Sequence, residues 1–236
     1  MVYLYCITDA KKQDLTGLDA GLVKYDPFTV VAGEPGAFDP TSPLSIMKHF
    51  EVNDRILRRG FAVLPFAYGT VVPAGEIDSF IKDKYDSIML NLALLRGKVE
   101  MGIKVLVFVR KDRTGDLLKR FNDSPGHRYL SQRVKKYAPF VVSGNTVKML
   151  LDDLNKYLGP YCSGVKTKMH SQKNILINSA FLVEAGLLPD FIKTCEELKM
   201  SYPECRFLIS GPWPPYNFIN MGENQPGKRG DSLWNL

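Results

Sequence analysis

The chain has 236 residues, 45% of them hydrophobic and 24% charged, the balance of a globular protein with a real core and not of a disordered or membrane-embedded one. That length exceeds the usual domain of about 100–150 residues and favours two small domains over one large one. The net charge of +6 permits attraction to acidic partners, but the basic residues are dispersed in pairs such as Arg58-Arg59 and Lys135-Lys136, the pattern of solvated faces.

Val2 to Thr8 reads as a first strand. The chain enters it at once, without a basic n-region or cleavage site, which argues against a secretory signal and for the cytosol. Leu22 to Tyr25 and Thr29 to Ala32 read as short strands on either side of Asp26-Pro27, and Gly33-Glu34-Pro35-Gly36 ends this hairpin-like region. Ser42 before Pro43 predicts a helix start, and Gly60 falls where a left-handed C-terminal cap belongs. The expected inward face of that helix is Met47, Phe50 and Leu57. Phe61 to Phe66 is a continuous apolar run suited to a buried strand, and Gly69 to Val72 continues extended into Pro73. Ile77, Phe80, Ile81, Tyr85, Ile88, Met89, Leu92 and Leu95 then recur at three- and four-residue steps, giving a helix whose wide apolar face must pack on a sheet.

After Gly97 the pattern starts again. A long strand covers Lys98 to Arg110, helical segments follow Thr114 and Ser124, and a further helix follows Asn145 with Val147, Leu150, Leu151, Leu154 and Leu158 inward. Gly159-Pro160 stops it. Cys162 to His170 and Asn174 to Glu184 read as strands. Pro189 opens a helix carrying Leu188, Phe191, Ile192, Cys195 and Leu198 on one face, and Arg206 to Ser210 is the closing strand. The apolar stretches, such as Val105 to Val109, fall far short of the ~20 residues that span a bilayer. The expected fold class is therefore α+β in two domains. Residues 98–218 read β-α-β-β-α-β, the ferredoxin-like split arrangement with an inserted helix, and residues 1–97 read as a modified ferredoxin-like α+β domain. Residues 219–236 form a polar tail.

The closing octet, Gly211-Pro212-Trp213-Pro214-Pro215-Tyr216-Asn217-Phe218, is the most distinctive stretch. Its prolines lack backbone donors and hold φ fixed, so the segment is extended or turning and cannot be helical. Trp213, Tyr216 and Phe218 either seal a core, as aromatic rings commonly do, or form a surface on which a partner docks. They are the candidate partner-binding residues.

Chemistry finds little support. Cys6, Cys162, Cys195 and Cys205 form no Cys-x-x-Cys pair, and the three histidines, His49, His127 and His170, are scattered; neither a metal site nor a cofactor is expected. Gly222 to Lys228 matches the first seven positions of a phosphate-binding loop, but Arg229 stands where Ser or Thr must hold Mg²⁺, and no strand precedes it; the match reads as coincidence. No Gly-x-Ser-x-Gly elbow occurs. Glu100 and Glu184, near strand-like runs, read as structural carboxylates, with Glu100 the one to inspect as a tuned acid. No catalytic residue is assigned. Val99 to Arg110 offers Phe108 as its aromatic and lacks the stacking pattern of RNA-recognition modules, so nucleic acid is not an expected partner.

Leu64-Pro65-Phe66-Ala67-Tyr68-Gly69-Thr70-Val71 and Gly97-Lys98-Val99-Glu100-Met101-Gly102-Ile103-Lys104-Val105 resemble blocks of the gas vesicle protein GvpF/GvpL family, and the closing octet resembles that family's terminal signature. Gly126-His127-Arg128-Tyr129-Leu130 with Arg133, Asn178 to Val183, and the histidine-containing Lys48-His49-Phe50-Glu51-Val52 resemble further blocks in the same order. The resemblance covers the chain to Phe218. It implies a non-enzymatic protein, without cofactor or membrane span, that acts in gas vesicle formation as an assembly factor or minor structural component. The implied partner is the small hydrophobic shell protein GvpA, together with other gas vesicle accessory proteins, and the implied location is the vesicle within the cell. A cytosolic module binding RNA or a small ligand is the alternative from another class.

Overall fold

The computed structural model describes residues 1–33, 42–109, 141–142, 144–171 and 175–221. The expected helical segments after Thr114 and Ser124, the block from Gly126 to Arg133, the turn beyond Gly33 and the loop-like match at 222–229 lie outside the described residues. The chain divides into two compact units. One holds Met1–Met101, Phe181–Leu188 and Ser210–Leu236, and the other Gly102–Ala180 and Pro189–Ile209. The chain thus leaves the first unit after Met101 and returns to it at Phe181 and again at Ser210.

In the first unit, β1 (Val2–Thr8) is the central strand of a sheet. On one side it pairs antiparallel with β3 (Phe28–Gly33), which forms a hairpin with β2 (Gly21–Tyr25). On the other it pairs antiparallel with β4 (Val63–Pro65) near its C-terminal end and with β5 (Val71–Val72) near its start. The order is β2-β3-β1-β4, with β5 beside β1. Every residue of β1 after Val2 is buried, which explains why it reads as a continuous apolar run without alternation.

Two helices pack on this sheet. Helix α1 (Pro43–Arg58) packs on Tyr3, Tyr5, Cys6, Val31 and Val63 through Val52 and Ile56. Helix α2 (Ile77–Leu95) sets Phe80 against Phe66 and Tyr85 against Phe28, with ring centres 6.2 and 5.8 Å apart. Gly60 and Gly97 follow the two helices at φ of +85° and +69°, the left-handed exits their positions demand. Of the expected apolar stripe of α2, Ile77, Ile81, Ile88, Leu92 and Leu95 are buried and Phe80 and Met89 partly buried, while Tyr85 is 39% exposed.

The face of α1 differs from expectation. Met47 is 64% exposed, while His49, Val52, Asn53 and Ile56 are buried. Phe50 and Leu57 are partly buried. A hydrophobicity pattern discounts His49 and Asn53, yet their spacing from Val52 and Ile56 puts all four on one stripe. Hydrogen bonds of the His49 ring nitrogens and of Asn53 Nδ2 offset the burial of the polar pair, although Asn53 Oδ1 is buried without a partner among the described residues.

In the second unit, α3 (Gly144–Leu158) buries Val147, Leu150, Leu154 and Leu158, and ends in a 3-10 turn at Gly159–Tyr161. Phe191, Cys195 and Leu198 are the buried residues of α4 (Leu188–Ser201). The Tyr202 hydroxyl donates to Asp153 of α3 at 2.6 Å, and Thr167 and Ser179 pair their hydroxyls at 2.8 Å. The second sheet has the order β10 (Arg206–Trp213), β6 (Lys98–Val109), β9 (Ile175–Glu184), β8 (Cys162–Ser171), with β7 (Val141–Val142) parallel to the end of β6. The fold is α+β. Among the described residues no helix is long and apolar enough to cross a membrane.

The buried stripe of α1 makes a direct prediction. Ile56→Ala removes about 2–5 kcal/mol of stability in urea unfolding, whereas Met47→Ala changes it by about 0.5 kcal/mol or less; equal losses contradict this helix orientation.

Candidate functional site: the C-terminal strap and its buried anchors

Beyond Ser210, β10 continues through Gly211 and Pro212 to Trp213, farther than its sequence suggests. Gly211 has a φ of +120°, and a Cβ there would lie 2.8 Å from the Glu100 carbonyl oxygen and 2.7 Å from the Met101 sulfur. The strap therefore crosses β6 at a distance that glycine alone tolerates. Pro214 and Pro215 are buried, and Tyr216–Phe218 form a 3-10 turn closed by the Phe218 amide on the Pro215 carbonyl at 3.1 Å.

With prolines at 212, 214 and 215 the strap has few donors for a ladder, and side chains of the first unit hold it instead. The Glu100 carboxylate accepts from the Asn217 amide at 2.8 Å and from its side-chain Nδ2 at 2.6 Å. Asn91 acts as a short stretch of backbone: its Nδ2 donates to the Asn220 carbonyl at 2.7 Å, and its Oδ1 accepts from the Asn220 amide at 2.9 Å. Asn53 Nδ2 donates to the Tyr216 hydroxyl at 3.0 Å. Glu100, Asn91 and Asn53 are 6%, 3% and 0% exposed, so losing the strap partner leaves a buried polar group on the anchor, which is costly.

His49 joins this network to the sheet. Its Nε2 lies 3.1 Å from the Tyr216 hydroxyl and 3.1 Å from the Phe66 carbonyl oxygen, while the Tyr3 hydroxyl lies 2.6 Å from Nδ1. A carbonyl only accepts, so Nε2 carries the proton and Nδ1 accepts from Tyr3. The imidazole is neutral and wholly buried, stacked on Tyr5 and edge-on to Tyr68. Burial pushes its pKa down from 6.5 to about 4, partly offset by the bond to Phe66. Burial likewise raises the pKa of Tyr3 and of Tyr216 well above the ordinary phenol value. The hydrogen bonds around His49 join neutral groups, an arrangement suited to holding the strap in place.

The candidate rings separate by exposure. Tyr216 and Phe218 are 9% and 8% exposed, whereas Trp213 is 46% exposed. Glu100, the carboxylate singled out in the sequence, is a strap anchor. Sequence reasoning missed Asn53, Asn91 and the bond from Tyr3. Their signal was positional: each asparagine sits at a three- or four-residue step from apolar residues of its helix stripe. His127 lies outside the described residues, and His170 is an exposed residue of β8. Among the described residues no group of three or more His, Cys, Asp or Glu side chains could hold a metal ion. The four cysteines are free, and burial raises the pKa of Cys162 and Cys195 to about 12, and of Cys205 to about 11, which keeps them protonated and weakly nucleophilic.

Residues 1–220 match the family model described as gas vesicle synthesis protein GvpL/GvpF. The chain belongs to the GvpL/GvpF family. The chain is 20% identical to gas vesicle protein F2 of Halobacterium salinarum over 231 residues, 93% of this chain and 92% of that protein. With gas vesicle protein F1 of the same organism it shares 33% identity over 58 residues, 23% of this chain and 27% of that one. Its fold is similar to the crystal structure of GvpF from Anabaena sp. PCC7120, with a TM-score of 0.69 at 19% identity, covering 94% of this chain and 97% of that one. GvpF from Microcystis aeruginosa gives a TM-score of 0.66 at 18% identity, covering 93% and 98%. As a GvpL/GvpF member the chain is a non-enzymatic, gas vesicle-associated protein.

The buried imidazole sets a pH dependence. His49 takes up a proton near 6.5 when unfolded and near 4 when folded, so its contribution is complete above about pH 6.5 and is lost as pH falls from there to about 4, for a total of about 3 kcal/mol. Urea midpoints measured at pH 7 and pH 5 should drop more steeply in the native protein than in His49→Gln, and parallel drops would contradict the buried neutral state.

Proposed function

We propose that this protein acts in gas vesicle formation by direct contact with the small hydrophobic shell protein GvpA, as an assembly factor or a minor component of the vesicle, and that it works at the vesicle inside the cell. Other gas vesicle accessory proteins are secondary partners. The observation that carries this reading is the strap. Asn53, Glu100 and Asn91 fix the segment from Tyr216 to Asn220, yet the segment leaves the Trp213 ring about half exposed. A large ring on a rigid mount contacts a partner with little loss of conformational freedom. Of the candidate residues, Trp213 makes the contact, and Tyr216 and Phe218 serve it by holding the strap in place.

We read the C-terminal half as a ferredoxin-like split βαβ arrangement with an inserted segment. Its support is the order β10-β6-β9-β8, in which the first and last strands of the β-α-β-β-α-β series lie side by side and the third separates the first from the second. The N-terminal half is a modified relative of that plan. Such sheets end in edge strands, and a strand of the shell protein added there is a second route of contact.

The test is retention of purified GvpA on immobilised protein at low and moderate salt. Trp213→Ala should weaken retention about tenfold at both salts and leave the melting temperature unchanged. Tyr216→Phe should lower the melting temperature, because it strips Asn53 and His49 of a buried partner. Full retention of GvpA by a folded Trp213→Ala variant overturns the assignment of this ring.

A further inference from the structure

The first unit contains a half-open cavity of about 540 Å³ where the N-terminal part of α1 approaches the ends of β1 and β2. Its volume falls within the ~300–1,000 Å³ of small-ligand sites, and far exceeds what a bare inorganic anion fills. Tyr3, Leu18, Ala20 and Leu44 supply apolar wall, and Tyr5, Lys48 and Asp19 supply its polar chemistry. The strap and its anchor Asn53 do not line it.

The polar groups are mostly donors. Tyr5 is 7% exposed and lines the cavity, where its phenol O–H is available as a donor. Lys48 adds an ammonium on the first turns of α1, whose N-terminal end is positive and whose Ser42 side chain does not cap it. The local acceptor is the Asp19 carboxylate, 2.6 Å from the Lys48 Nζ, with a side chain 86% exposed. Lys48 and Asp19 both act electrostatically on the Tyr5 phenol, which puts the three groups within reach of one another. Asp19 thus displays the chemistry that this ammonium accepts, and an exposed carboxylate held by one ion pair is readily exchanged for another, since such pairs contribute only about 0–1 kcal/mol.

We propose that this cavity binds a carboxylate carried on an apolar body, with the carboxylate on Lys48 and the Tyr5 hydroxyl in place of Asp19 and the body against Tyr3, Leu18 and Leu44. The apolar part supplies burial, and the charge-assisted bonds supply orientation. Asp19 competes for the same ammonium and sets the affinity.

The probe is N-acetyl-L-phenylalanine, compared with N-acetyl-L-phenylalaninamide, titrated into the whole protein by isothermal calorimetry. The acid should bind about tenfold tighter than the amide. Lys48→Met should reduce the acid to the level of the amide, Tyr5→Phe should weaken it several-fold, and Asp19→Asn should tighten it. Melting curves check that each variant is folded, and Asp19→Asn, at an exposed side chain, keeps the test open if the others are not. Equal binding of acid and amide, absence of binding by both, or weaker acid binding by Asp19→Asn overturns the proposal. A hexapeptide ending in a free phenylalanine carboxylate separates the sources. Tighter binding than the single residue assigns the site to a polypeptide end, and equal binding assigns it to a free organic acid; both results support the carboxylate site.

Discussion

The contact on which the first unit depends is the neutral imidazole of His49, held between the Tyr3 hydroxyl, the Phe66 carbonyl and the Tyr216 hydroxyl. These groups come from β1, from the residue following β4, and from the C-terminal strap, so one ring on α1 ties together segments 46, 17 and 167 residues away in sequence. The arrangement requires the imidazole to stay uncharged. A protonated ring would present two donors, and Nδ1 could no longer accept from Tyr3. The network gains geometric definition from burial and becomes sensitive to acid for the same reason.

The strap extends that logic. A proline-rich segment cannot be zipped into a sheet by its own backbone, because each proline removes a donor. The fold answers with side chains: a carboxylate for one amide and one carboxamide, and an asparagine that offers both a donor and an acceptor to one peptide group. Directional bonds of this kind fix register where apolar contact alone would let the segment slide. Gly211 then lets the strap approach β6 closely enough for Glu100 and Asn217 to meet.

Much of this was legible in the sequence, and what was not has a physical cause. The strands of the first unit and the stripe of α2 could be read because their apolar residues follow the period of their element. The octet could be read as a rigid segment because proline constrains the chain by itself. The inward face of α1 was misassigned, since hydrophobicity favours Met47, while the fold buries His49 and Asn53 by giving them partners that lie far away in sequence. Glu100 stood out as a carboxylate beside a strand, but a titrating acid and an acceptor for Asn217 look alike until the partner is placed. The exposure of Trp213, set against the burial of Tyr216 and Phe218, depends on which way a turn faces, and composition does not encode that.

His49 also shapes what lies away from the strap. Tyr3 lines the cavity beside α1 and is oriented by its bond to Nδ1; Tyr5 lines the same cavity and is held by stacking on the imidazole and by an edge contact to Tyr3. Both aromatic walls are therefore fixed before anything enters, which lowers the ordering cost that a ligand would otherwise meet. The strap presents its ring under the same condition, because Tyr216 is placed by the other nitrogen of that imidazole. One buried side chain thus preorganises two separate surfaces, and its replacement would loosen both. A substitution at His49 therefore cannot by itself assign a function to either surface, whereas Trp213 and Lys48, each outside the His49 hydrogen bonds, can be changed one at a time.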